Sequence, residues 1–203
     1  MNVTNTSLVV SSLVAVALAG CGGSQANCPE TTTAAAATLR EPTTAPESIT
    51  VTIGGLEGDR VPLESVFGGF GCEGQNRSLA LSWTPVEGAQ SYAVVMHDPD
   101  APTGVGFFHW IAVDLPAGTT SLPLGASGSA MPEGAVETYT DFGANGYGGP
   151  CPPPGDPHRY EVTVYAVDVP SLGVPAGATG ALTRFMLRQH SIAIGRATAR
   201  YGR

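Results

Sequence analysis

The chain reads as an antiparallel β-sandwich with one helix near its end, and three observations lead there. Apolar residues come in short runs. Turn signals such as PVEG and LPAGT break those runs at close intervals. The composition, with 27 Gly, 17 Pro and only 13% charged residues in 203, suits tight turns. Strands spaced this closely, with no helical period between them, argue against alternating βαβ units.

Taken in order, the first twenty residues read as a targeting segment. SLVVSSLVAVALAG (7–20) has the length of a signal-peptide core and is too short for a comfortable membrane span. It ends in LAGC, which resembles the lipobox of bacterial lipoproteins. That resemblance implies cleavage after residue 20 and lipidation of Cys21, although MNVTNTS lacks the usual Lys or Arg. Several acyl chains on one residue anchor stably where one alone is marginal. Residues 21–48 are rich in Ala, Thr, Ser, Pro and Gly and read as a disordered tether. The folded domain is expected over 49–203.

Within it, SITVTI (48–53), SLALSW (78–83), SYAVVMH (91–97), FHWIAVDL (108–115) and RYEVTVYAVDV (159–169) are the expected strands. GALTRFMLRQH carries Leu182, Phe185, Met186 and Gln189 at helical spacing and predicts the helix. The alternating tail IAIGRATARYGR predicts a last strand with Arg196 and Arg200 outward.

Side chains alternate faces along a strand, so parity says which way the polar residues point. Val94, Met96 and Asp98 share a face. Tyr160, Val162, Val164 and Ala166 share one with His158. His109 shares parity with Ile111, Val113 and Leu115. Each of Asp98, His109 and His158 is thereby placed at a strand end on the core side, where a sandwich opens into a pocket. For any one of them alone, a turn cap or a satisfied core-edge histidine is the readier account; for all three together, beside Pro-rich loops, a site is.

The order DPDAP, HW, GYGGPCPPPGDPHRY resembles the phosphatidylethanolamine-binding protein family, and most of all its bacterial Raf-kinase-inhibitor-like branch of the YbhB/YbcL type. The likeness covers about residues 49–203. FGCEGQNRSLALSW fits the same branch, except that Glu73 replaces an Asp and Leu79-Ala80 replaces two prolines. The resemblance implies a Greek-key sandwich with a small anion pocket at one end. Carried over by motif, that pocket is formed by Asp98, Pro102, Phe107, His109, Gly149, Cys151, Pro152, Pro153, His158 and Tyr160.

Physically, imidazoles donate N–H bonds to an oxyanion and add charge when protonated. The N–H groups of the Gly-rich 146–151 loop offer an anion-binding concavity. Prolines supply wall. Asp98 is expected to orient one imidazole or to meet an ammonium group. Asp100 is expected to anchor the DPDAP turn, and Arg159 to pair with Asp98 or Asp100. Phosphate binding should weaken as the histidines lose protons.

Composition narrows the functional classes. The chain has no lysine, which excludes a P-loop or a Schiff-base enzyme, and a net charge of −8 argues against a nucleic-acid partner. Of the four cysteines, the resemblance favours a bridge between Cys72 and Cys151, with Cys28 able to pair with either. Cys151, His109, His158 and Asp98 are also metal-ligand types, but no CxxC or HExxH spacing supports a zinc site. No cofactor is expected. The leading reading is a non-enzymatic binding protein for phosphate, phosphoethanolamine or lipid headgroups, attached to a membrane by its lipid, with any protein partner unidentified. Kinase inhibition belongs to eukaryotic relatives and is not carried over. The alternatives are a protease inhibitor acting through the 116–135 loop and a His/Asp hydrolase. The hydrolase lacks a GxSxG elbow, GASGS at 125–129 being the nearest string.

Overall fold

The computed structural model describes residues 47–203. The signal segment, Cys21, Cys28 and the tether up to residue 46 lie outside the described residues, while its last two residues, Glu47 and Ser48, are a strand and not tether. A six-stranded sheet runs in the order β1-β9-β8-β4-β5-β7 and a three-stranded sheet in the order β2-β3-β6. Their strands are β1 (Glu47–Ser48), β2 (Val51–Ile53), β3 (Leu81–Trp83), β4 (Ser91–Asp98), β5 (Phe107–Pro116), β6 (Ser121–Leu122), β7 (Val136–Glu137), β8 (His158–Val167) and β9 (Ser191–Tyr201). All pairings are antiparallel except β1 with β9. The fold is the expected mainly-β sandwich with one helix.

The expected 48–53 strand divides in two, β1 joining the large sheet and β2 the small one. Buried Ile49 sits at the crossing. Of 78–83 only the last three residues are strand, because Ser78 is spent on a turn: its carbonyl accepts from Gly125 N and its hydroxyl from Ser127 N.

The large sheet is buried on both faces. Between the sheets, Val94, Met96, Trp110, Ala112, Tyr160, Val162 and Val164 pack against Ile53, Leu81, Trp83 and Leu122. On the outer face, Ala93, Val95, Ile111, Val113, Tyr165 and Val167 are covered by Leu172, Val174, Ala178 and Leu187. Fully burying side chains of this size contributes about 1.5–3 kcal/mol each.

The helix, α1 (Gly180–His190), starts at Thr179, whose hydroxyl accepts from Leu182 N, and ends on Arg188 and His190, suitably basic for a helix C-terminus. Its buried stripe is not the apolar row that the helical spacing marks. Gly180, Thr183 and Leu187 face the sheet, while Leu182 and Phe185 are 45% and 61% exposed. The reason is close approach: a Cβ at Gly180 would lie 2.5 Å from the Phe108 ring. The small-residue side is the one that fits.

Strand β5 contains two register shifts against β4. Met96 pairs with Trp110 and His97 with Phe108, which leaves His109 as an extra residue; Tyr92 pairs with Leu115 and Val94 with Ala112, which leaves another extra residue beyond. These are β-bulges, and each resets the alternation of faces. The second contains Asp114 at φ 57°, a left-handed backbone held by its own carboxylate, which accepts from Ser171 Oγ and Leu172 N. Asp114→Ala keeps the unfavourable φ and loses both bonds. It should lower unfolding stability in urea by about 2 kcal/mol, while Asp114→Asn, which tolerates that φ, should lose less. Equal losses for the two variants would remove the backbone account.

Candidate functional site

The site is built where β4 ends, β8 begins and β5 bulges. A cavity of about 160 Å³ opens there, lined by Asp98, Pro102, Phe107, His109, Cys151, Pro152, Pro153, His158 and Tyr160, together with Phe70, Ala101, Thr103 and Phe142.

Asp98 ends β4 and starts the DPDAP turn. Its Oδ1 accepts from the N–H groups of Asp100 (2.8 Å) and Ala101 (3.0 Å), and its Oδ2 accepts from His158 Nδ1 (2.7 Å). A carboxylate that receives Nδ1–H fixes the orientation of the His158 ring and leaves Nε2 as its one uncommitted nitrogen. Asp100 staples the same turn to β8 from outside. It accepts from Arg159 N and Nε through Oδ2 and from Arg159 Nη2 (2.7 Å) through Oδ1, and the guanidinium holds its pKa down at about 2. Of the two partners expected for Arg159, Asp100 is therefore the one it takes.

His109 reaches the cavity by a route that parity did not predict. It does not share a face with Ile111 and Val113, which pack under the helix. As the bulged residue it lies on the cavity side with Phe107, ahead of Trp110 on the core side. Its Nδ1 donates to Gly148 O at 2.7 Å, and it is 4% exposed. Burial pulls its pKa down to about 4, against the opposing influence of that hydrogen bond and of Asp98. At neutral pH it is therefore an uncharged ring carrying its proton on Nδ1, with Nε2 as a lone pair. The expectation that both histidines lend positive charge is corrected for this one.

In the Gly-rich loop three successive N–H groups are already spent inside the protein. Tyr147 N donates to Ser127 Oγ, Gly148 N to His109 O and Gly149 N to Asn76 Oδ1. Gly149 lines no part of the cavity. Its hydrogen is needed where it lies, for a Cβ would fall 2.2 Å from Ser65 O. Asn76 also donates from Nδ2 to Tyr147 O, so it clamps the loop twice. Glu137 braces the loop from the other side, accepting from Trp110 Nε1, Ser127 Oγ and Gly128 N.

Tyr160 is fully buried, and its hydroxyl has no hydrogen-bond partner among the described residues. Burial raises its pKa, and the charge of Asp98 adds to this. Cys72 and Cys151 form a disulfide, with Cα atoms 6.0 Å apart. The Cys151 sulfur is thereby not a free thiolate for a metal.

Four lining residues, Phe70, Ala101, Thr103 and Phe142, lie outside the pocket set that the sequence implies, and two of them are aromatic. Phe70 and Phe142 face each other at the mouth, ring centroids 6.1 Å apart, and Phe142 meets Phe107 edge-on at 5.0 Å. The usable signal for Phe70 was its place two residues before Cys72. Phe142 had none beyond its aromatic character. The 116–135 loop, expected to be flexible, contains β6, buried Leu122 and Ala126, and the Ser127–Glu137 bonds.

His109 carries a pH signature. An unfolded imidazole takes its proton near pH 6.5, but the folded one not until near pH 4. Its contribution to stability is therefore full above about pH 6.5 and lost as pH falls toward 4, by about 3 kcal/mol in all. Urea unfolding from pH 7 to 4 should show a smaller fall for His109→Gln than for the parent. Parallel curves would contradict the buried neutral assignment.

Comparison with known proteins follows the same outline. A family model described as phosphatidylethanolamine-binding protein matches residues 56–202. UPF0098 protein YbhB of Escherichia coli K12 is 45% identical over 148 residues, 71% of this chain and 94% of its own length. UPF0098 protein YbcL of the same organism is 45% identical over 149 residues, covering 71% and 81%. The crystal structure of Escherichia coli YbcL, described as a member of the mammalian PEBP family, superposes with a TM-score of 0.73 at 42% identity, over 76% of this chain and 98% of that one. LppC of Mycobacterium tuberculosis strain H37Rv, named as a candidate lipoprotein, is 36% identical over 171 residues, covering 81% of this chain and 80% of its own.

Proposed function

The chain belongs to the phosphatidylethanolamine-binding protein family, and from that premise we propose that it is a non-enzymatic binding protein whose cavity takes a small phosphate or phosphate-like headgroup. One observation carries the reading: Asp98, His109 and His158, remote in sequence, line one small cavity otherwise walled by proline and phenylalanine. His158, held by Asp98, presents Nε2–H as a donor to an oxyanion when charged. His109 offers the opposite, a lone pair. A phosphate that keeps one proton satisfies both, accepting from His158 and donating to His109. Among the described residues no Arg lines this cavity, which favours a singly charged head over a doubly charged one.

A hydrolase has less support. His158 is committed to Asp98 and Nδ1 of His109 to a carbonyl; among the described residues no serine or free thiol lines the cavity, and the Thr103 hydroxyl there donates to Gly106 O. The inhibitor reading loses its flexible loop.

Phosphoethanolamine titrated calorimetrically should bind more weakly as pH rises above about 6, where a phosphate monoester sheds its second proton. His158→Gln and Asp98→Asn should each cost roughly tenfold or more, the usual loss for one charge-assisted bond. His109→Gln should flatten the pH dependence. Binding unchanged in all three variants would end this assignment.

We further read the chain as lipid-anchored at Cys21 and facing outward from the cell membrane. LAGC and the similarity to LppC support this reading. Expressed in a bacterium, the protein should fractionate with membranes, and Cys21→Ala should release it to the soluble exported fraction. A Cys21→Ala protein that stays with the membranes would refute the anchor.

A further inference from the structure

The two sides of the cavity mouth are held together by one covalent bond. Cys151 lines the cavity beside Pro152 and Pro153, and Phe70, two residues before Cys72, lines it from the facing loop. The disulfide between them closes an interval of 79 residues.

The loop that carries Phe70 is firm at its base and slack at its tip. At the base, Phe67 N donates to Pro150 O, Gly74 N to Phe67 O and Asn76 N to Val66 O. At the tip, Cys72 N donates to Gly69 O, a bond that stays within the loop. Phe70 itself is 70% exposed at φ 53°, so burial holds it little and its backbone is in the left-handed region. Its ring contacts are with Phe67 and Phe142. Among the described residues, two devices tie this tip to the Cys151–Pro152 wall. One is the disulfide. The other is Arg203, which donates through Nη1 to Gly71 O at 3.0 Å and through Nε to Pro152 O at 2.8 Å. The Gly71 bond is solvent-exposed and worth little alone.

We propose that the Cys72–Cys151 bond is a redox latch on the cavity, so that reduction by a dithiol frees the 68–73 tip, withdraws the Phe70 wall and weakens ligand binding. This rests on the reading that the cavity binds a phosphate-bearing ligand. A thiolate of the dithiol attacks one sulfur, the Cys72–Cys151 bond breaks and a mixed disulfide forms. The reductant's second thiol then displaces the protein sulfur. Two electrons and two protons end on Cys72 and Cys151, and the dithiol leaves as its own disulfide. Both cysteines are only half-buried and Cys151 faces the cavity, so the nucleophile has a path. With the tip free, the closed arrangement becomes one among several, and apparent affinity falls by the fraction of molecules that retain it.

The test uses the full chain, oxidised and reduced with dithiothreitol, with phosphoethanolamine as calorimetric probe. Reduction should weaken binding roughly fivefold or more. Cys72→Ala should bind as weakly as the reduced parent and be insensitive to dithiothreitol. Equal affinity in the two states of the parent overturns the latch, and so does a dithiothreitol effect that persists in Cys72→Ala. Amide hydrogen exchange on the unliganded protein separates this from failure of the binding reading. If oxidised protein binds no phosphoethanolamine, the cavity assignment falls, but the latch still requires faster exchange over residues 68–73 on reduction, with the amides of β4 and β8 still protected. Unchanged exchange at 68–73, or loss of protection throughout the sheet, overturns it.

Discussion

The Asp98 carboxylate is the interaction on which this end of the molecule depends. With one oxygen it closes the DPDAP turn on two main-chain N–H groups, and with the other it fixes the His158 ring. Hydrogen bonds to a charged group of this kind contribute about 1.5–3 kcal/mol each. The same three bonds therefore set the shape of the loop over the cavity and the orientation of the imidazole within it. The Asp100–Arg159 fork repeats the connection on the outer face, so the turn is tied to β8 from both sides. Such a turn does not need its prolines to be rigid; they remove N–H groups that would otherwise require partners in a dry wall.

Around that carboxylate the cavity is chemically divided. One histidine is paired with an acid and the other is kept neutral by burial. Two imidazoles of the same residue type thus present opposite faces to a guest, a donor and an acceptor, because their second ring nitrogens are committed to different partners. The surrounding phenylalanines and prolines keep competing water away and strengthen whatever polar contacts form.

Much of the scaffold was legible in the sequence. The long central strands are apolar runs bounded by turn signals, clear enough to mark them within one or two residues, and α1 runs over the eleven residues its composition suggests. What alternation does not record is a bulge. Parity gives His109 the face of Ile111 and Val113 and so brings it toward Asp98 by the wrong route, whereas the motif resemblance places it there without that step. Helical spacing is silent on the buried face for a related reason. Periodicity finds apolar residues, but Gly180 against Phe108 decided which side fits, and a glycine has no hydropathy to announce it. The Gly-rich loop suggested free N–H groups because its sequence does not reveal that Ser127, His109 and Asn76 already occupy them. Phe142 became visible as a wall only once the loop around it was folded.

The bulge at position 109 has an evolutionary corollary. Because His109 is the surplus residue in the ladder, Phe108 and Trp110 already point in opposite directions, as neighbours in an uninterrupted strand would. A single-codon deletion there would excise the imidazole and leave both flanking segments in phase. The hydrogen-bonding character of the chamber floor and the integrity of the sandwich are thus separately heritable. A lineage can drop one of the two imidazoles in a single step, leaving Asp98 and His158 in place, without rebuilding the sheet that contains them.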